Sequence, residues 1–257
     1  LDWLATQNGR KKEDKCSWLM NIPEMHHSRA PGMTCLSALG SGVQGHYDDP
    51  INSSKGCGGV MRVAPIGLFL KPDVYTQKEI DRVGAESAAI THGHELGYMP
   101  AAMLVHIISK IVHGNTGLRA AVEDALAAME EQYPCAKHIG ELSAIIKKAI
   151  TLSEEEISDV DAIRSLGEGW VAEETLAIAI YCALRYENDF SKAVTAAVNH
   201  DGDSDSTGAV TGNLLGAVCG GLVQRVGLVG DDNLRAGGQL GGEFRQLGVD
   251  VLDVLDG

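Results

Sequence analysis

Aromatic residues are scarce, at 5% of the chain, and no stretch sustains the apolar–polar alternation of a half-buried strand. Both facts speak against a β-sandwich or barrel. No Lys/Arg block is present: 21 basic residues stand against 35 acidic ones, a formal net charge of −14. A nucleic-acid binder would carry a basic stripe, so that class is set aside. No uninterrupted run of 18 apolar residues occurs, and no membrane span is expected. The six cysteines (Cys16, Cys35, Cys57, Cys135, Cys182 and Cys219) include no C-x-x-C pair. They read as reduced thiols of a cytoplasmic protein, not as a disulfide framework or a zinc site.

What the chain does have is 44% hydrophobic residues over 257 positions, enough for one sizeable core and a single domain spanning 1–257. Helical patterning dominates from residue 76 onward. Thr76 and Glu79 form a capping box, and Asp189 is placed as an N-cap. The spacing predicts helices over about 76–90, 97–113, 117–132, 138–151, 158–166, 171–186, 190–199 and 206–222, an all-α chain. Residues 21–60 are rich in Gly, Pro, Asn and Ser and read as ordered loop with short helices, where sites tend to sit. Residues 1–20 read as a helix end followed by a charged turn over Arg10–Lys15. Residues 223–257 show a short apolar periodicity at Phe244, Leu247, Val251 and Leu255.

The most informative stretch is Asn199–Gly220. Asp201, Asp203 and Asp205 crowd three carboxylates into one turn, followed by Ser206, Thr207 and a small-residue helix. Such groups cap orphan N–H groups at a helix start, and they also supply the oxygen ligands that hard cations take. The residues alone leave both readings open. A calcium loop of the EF-hand type is excluded, because Ser206 and Gly212 stand where it needs Gly and Glu. Gly208, Gly212, Gly216 and Gly220 recur every four residues, and predict a helix face in close contact with a neighbour.

Gly202-Asp203-Ser204-Asp205-Ser206-Thr207-Gly208 running into a Gly/Ala-rich helix resembles the C-terminal motif of the ADP-ribosylglycohydrolases. Three further stretches are similar to that family in the same order: Ser54-Lys55-Gly56-Cys57-Gly58-Gly59-Val60-Met61-Arg62, then Thr91-His92-Gly93-His94, then Gly169-Trp170-Val171-Ala172-Glu173-Glu174. The resemblance implies a compact orthogonal multi-helix bundle. It also implies hydrolysis of the N-glycosidic bond between ADP-ribose and a modified protein side chain, arginine first among them. It implies two divalent cations, Mg²⁺ or Mn²⁺, with Asp203, Asp205 and Ser206 as ligands. ADP-ribose would be held by Ser54, Lys55, Gly56, Cys57 and His92. The alternative is a catalytically inactive module of the same fold that binds ADP-ribose or a regulatory partner.

The family's N-terminal Thr-Asp-Asp stretch, which completes the metal cluster, has no counterpart here. Asp48-Asp49 follows Tyr47 instead of Thr and lies beside the Ser54 loop, not well upstream of it. A missing N-terminal segment is therefore expected, and the chain as it stands is expected not to turn over. Other signals are weaker. Gly40–Gly45 fits G-x-G-x-x-G, but no strand precedes it and His46–Pro50 cannot open the required helix. Trp170 reads as a core anchor. Glu173 and Glu174 suit a helix N-terminus, and His94 is left without a role.

Overall fold

Helix α5 (Glu95–Val112) organises the molecule. In the computed structural model, which describes residues 2–7, 18–28 and 30–226, its side chains from Leu96 to Ser109 are all buried. It is the one described helix whose length and mean hydropathy, 1.2, reach the range of a membrane span. Yet 83% of that window lies inside the protein, which makes it the core helix. Around it pack α3 (Ala64–Phe69), α4 (Gln77–Ala89), α6 (Leu118–Gln132) and α9 (Ala172–Arg185). The remaining helices are α1 (Asp2–Gln7), α2 (Met33–Gly40), α7 (Ile139–Glu154), α8 (Asp159–Leu166), α10 (Phe190–Val198) and α11 (Ser204–Val226). Short 3₁₀ turns occur at Trp18–Asn21, Pro23–His26 and Val60–Arg62. Among the described residues there is no strand, only one isolated antiparallel bridge between Gly56 and Val171. The all-α bundle is as expected. Contacts divide the chain into two units, Leu1–Val218 and Cys219–Gly257. Arg10–Lys15 and the periodicity from Phe244 to Leu255 lie outside the described residues.

Local chemistry explains the helix ends. Thr76 Oγ1 accepts from the Glu79 amide while the Glu79 carboxylate accepts from the Thr76 amide, a complete capping box at α4. Asp189 caps α10 and Ser158 caps α8 with the side chain alone, accepting from the Lys192 and Asp161 amides. Helix α5 begins two residues before its predicted start because His94 caps it, its Nδ1 accepting from the Leu96 amide.

The predicted glycine contact on α11 is corrected by the structure. The buried side of the helix carries Ser206, Thr207, Val210, Thr211, Leu214 and Leu215. Of the glycines, Gly208 meets a neighbour: a Cβ there would lie 2.5 Å from Val198 Cγ1. One at Gly212, Gly216 or Gly220 meets nothing within 4 Å among the described residues. The larger side chains decide which face turns inward, since they bring more apolar area. Gly212→Ala is therefore expected to stabilise by about 1 kcal/mol, the helix-propensity difference. Gly208→Ala is expected to destabilise. Urea midpoints of the two variants check the opposite signs.

Candidate functional site

The loop Ser54–Gly59 is held from two sides. On one side Asn52 acts as a staple. Its Oδ1 accepts from the Ser54 and Gly93 amides, and its Nδ2 donates to the Thr91 carbonyl. On the other side the loop pairs with residues 170–172: the Cys57 amide donates to the Trp170 carbonyl at 3.2 Å, and the Ala172 amide to the Lys55 carbonyl at 2.8 Å. The chain segments at 52–59, 91–94 and 168–174 thus converge.

The acidic turn joins them through Cys57. Its thiol donates to Asp203 Oδ2 at 2.9 Å and accepts from Ser206 Oγ at 3.4 Å. Burial first, then the hydrogen bond to Asp203, pushes the Cys57 thiol up to about 11, so it stays a protonated donor. Asp203 is 5% exposed and stands just before α11. Its amide is fixed by the Glu168 carbonyl at 2.7 Å. Burial works against its charge, but hydrogen bonds from Asp205, Cys57 and Ser206 hold its carboxyl below the usual value. The Asp205 carboxyl is pushed up, chiefly by the hydrogen bond it shares with Asp203, then by burial. The Ser206 amide also donates to Asp203, which thereby caps α11. Asp201 takes no part. Its side chain is 96% exposed, and it lines a cavity of about 220 Å³ with Arg164, Gly167, Glu168 and His200.

His92 is 2% exposed and faces the glycines of the loop. A Cβ on Gly58 would come within 3.2 Å of His92 Nε2, and one on Gly56 within 3.5 Å. Glycine at both positions leaves space between ring and backbone. His92 Nδ1 lies 2.8 Å from Thr91 Oγ1. Burial first, then the Arg62 guanidinium, lowers the His92 imidazolium to about 4. An unfolded histidine titrates near 6.5. The unfolded chain therefore takes up the proton first, and this contribution to stability is present above about pH 6.5 and lost as pH falls towards 4, up to about 3 kcal/mol. Urea midpoints measured from pH 7 to pH 4 are expected to fall less steeply in a His92→Gln variant than in the parent.

Lys55 turns to Glu173, with which it forms an ion pair. Glu173 is buried, its Oε2 has no hydrogen-bond partner among the described residues, and burial raises its carboxyl. Sequence reading assigned Glu173 only to the helix dipole and missed Asn52; neither residue carries a local signal for its long-range partner. Glu174 does serve the helix start, its Oε2 accepting from the Glu168 and Gly169 amides. Trp170 corrects its expectation. It is 58% exposed, because the pairing with Cys57 turns its carbonyl inward and leaves the indole outside. Asp48 and Asp49 are exposed.

Asp203, Asp205 and Ser206 offer two carboxylates and a hydroxyl, donors of the kind hard cations take. Among the described residues no group of three or more His, Cys, Asp or Glu side chains is placed to hold a metal. The set fits a divalent cation in kind and would supply only part of its coordination.

The ADP-ribosylglycohydrolase family model matches residues 1–223. Among curated proteins, ADP-ribosylhydrolase ARH3 of Bos taurus is 26% identical over 188 residues, covering 65% of this chain and 50% of that protein. The Mus musculus protein of the same name is 27% identical over 188 residues, with the same coverage. An uncharacterized protein of Archaeoglobus fulgidus is 26% identical over 193 residues, covering 74% of this chain and 59% of its own length. The chain spans about half the length of the ARH3 proteins it matches.

Proposed function

Because the chain belongs to the ADP-ribosylglycohydrolase family, we propose that the converged segments bind ADP-ribose and serve hydrolysis of the bond joining it to a modified protein side chain, arginine in the first instance. The observation that carries this reading is the hydrogen-bonded junction of the glycine loop with the acidic turn, from Cys57 to Asp203 and Ser206.

The roles follow from chemistry. Gly56, Gly58 and Gly59 carry no side chain to screen the loop backbone, an arrangement that lets an anion approach closely, although the Gly56 and Cys57 amides already donate to Ser54 Oγ and the Trp170 carbonyl. Lys55 adds positive charge at its edge. These groups suit the diphosphate. Asp203, Asp205 and Ser206 would hold one or two divalent cations, Mg²⁺ or Mn²⁺. When bound, such ions would supply positive charge for the sugar hydroxyls and for activating a water in the hydrolysis. Cys57 and Ser206 keep the Asp203 carboxylate oriented and ionised beside its neighbour. No general acid or base is assigned among the described residues.

A protein that binds ADP-ribose without hydrolysing it is the second reading. It rests on the metal donors, which make only part of a coordination shell. Release of free ADP-ribose from an arginine-modified protein, with Mn²⁺ or with a chelator, separates the readings. Metal-dependent release supports the enzyme. Saturable ADP-ribose binding with no release supports the binding module, and neither binding nor release sinks both.

A further inference from the structure

We propose that Arg62 and Thr91 are positioning residues that fix His92 in one neutral tautomer, with Nε2–H presented to the Gly56–Gly58 loop. The inference rests on the reading of that loop as the diphosphate site, but its first test does not.

The assignment follows from counting hydrogens. Arg62 Nη2 lies 2.6 Å from Thr91 Oγ1, and a guanidinium only donates. Thr91 Oγ1 therefore accepts there and keeps its single hydrogen to give away. Its other neighbour is His92 Nδ1, at 2.8 Å. No further acceptor for the hydroxyl lies within reach among the described residues, and Thr91 is 1% exposed. Were Nδ1 to carry the proton, the Thr91 hydrogen would be buried without a partner, which is costly. The threonine thus donates to Nδ1, and the ring proton sits on Nε2. Burial and the Arg62 charge lower the imidazolium to about 4, which keeps the ring neutral near pH 7.

The relay is rigid. Arg62 reaches in from the surface, and Nη2 also donates to the Ser87 and Ala88 carbonyls at the end of α4. The Thr91 carbonyl is tied to Asn52, and the Thr91 and His92 amides both donate to the Ala88 carbonyl. Nε2 faces Gly56 and Gly58 and has no hydrogen-bond partner among the described residues. A fixed neutral N–H donor aimed into a glycine loop suits a phosphate oxygen. The opposite tautomer would present a lone pair and repel it.

The test uses ¹⁵N-histidine spectra of the ligand-free protein near pH 7, with His92 assigned through a His92→Gln variant. The parent is expected to show His92 as a single tautomer protonated at Nε2. Thr91→Val, which removes the hydroxyl and keeps the shape, is expected to give mixed tautomers. ADP-ribose affinity by calorimetry should fall about tenfold with it, the scale of one hydrogen bond. Thr91→Ser should restore both readouts. A parent spectrum with the proton on Nδ1 overturns the proposal even if Thr91→Val does not fold. So does a Thr91→Val protein that keeps the single Nε2–H tautomer. A parent that shows the expected tautomer but no ADP-ribose binding contradicts the diphosphate reading and leaves the relay standing.

Discussion

Asp203→Asn is expected to reduce metal-dependent ADP-ribose release at least a hundredfold, on the scale of losing one preorganised electrostatic group. The substitution is chosen because Asp203 does two things. It caps α11 through the Ser206 amide, and it carries the buried charge beside Asp205. Asparagine caps a helix about as well as aspartate but brings no charge to a cation. The thermal midpoint should stay near that of the parent while Mn²⁺ affinity falls. Asp201→Asn is the control. Its side chain is 96% exposed and 3.9 Å from Arg164, so activity should be unchanged. An Asp203→Asn protein with full turnover would reduce the acidic turn to a cap.

The second large effect lies in the core. Asp81 is fully buried. Its carboxylate accepts from His106 Nδ1 at 2.8 Å, Gln77 at 2.8 Å and Gln132 at 2.7 Å. His106 also reaches Asp124, which pairs with Lys110. This polar knot ties α4, α5 and α6 together. Burial opposes the charge on His106, but the hydrogen bonds and charges of Asp81 and Asp124 outweigh it and raise the imidazolium. His106→Leu leaves a buried carboxylate without its cation and should cost about 3–5 kcal/mol in urea unfolding. Adding Asp81→Asn should recover more than half of that loss, because the uncompensated charge is gone while both glutamine partners remain. The pH dependence has the opposite sign to that of His92. A raised imidazolium contributes fully below about pH 6.5 and loses its contribution as pH rises through the folded value. The gap between parent and His106→Leu should therefore narrow towards alkaline pH. A gap that widens would contradict a charged His106.

Helices were the legible part of this chain because their signals are local. The Thr76–Glu79 box, the Asp189 cap and the apolar spacing of α5, α6 and α9 all act within a few residues. His94 escaped notice because an imidazole cap does not follow the usual Ser, Thr, Asp and Asn pattern. The glycine repeat of α11 shows the limit of periodicity. It tells which residues share a face, but Val210, Leu214 and Leu215 determine which face is buried. In the site, each motif could be seen, but its partner could not. Cys57 meets Asp203 across 146 positions and Lys55 meets Glu173 across 118, and no local spacing encodes such pairs. The large area of a tryptophan points Trp170 inward, whereas the backbone pairing of residues 170–172 sends it out.

The central claim is that the glycine loop, His92 and the acidic turn form one ligand site. The most direct measurement is a crystal structure with ADP-ribose and Mn²⁺, using the anomalous signal of manganese. The expected result is an anomalous peak within coordination distance of the Asp203 and Asp205 carboxylates, with the diphosphate against the Gly56–Gly59 loop and His92 Nε2. ADP-ribose bound elsewhere, with no manganese at the acidic turn, would contradict it.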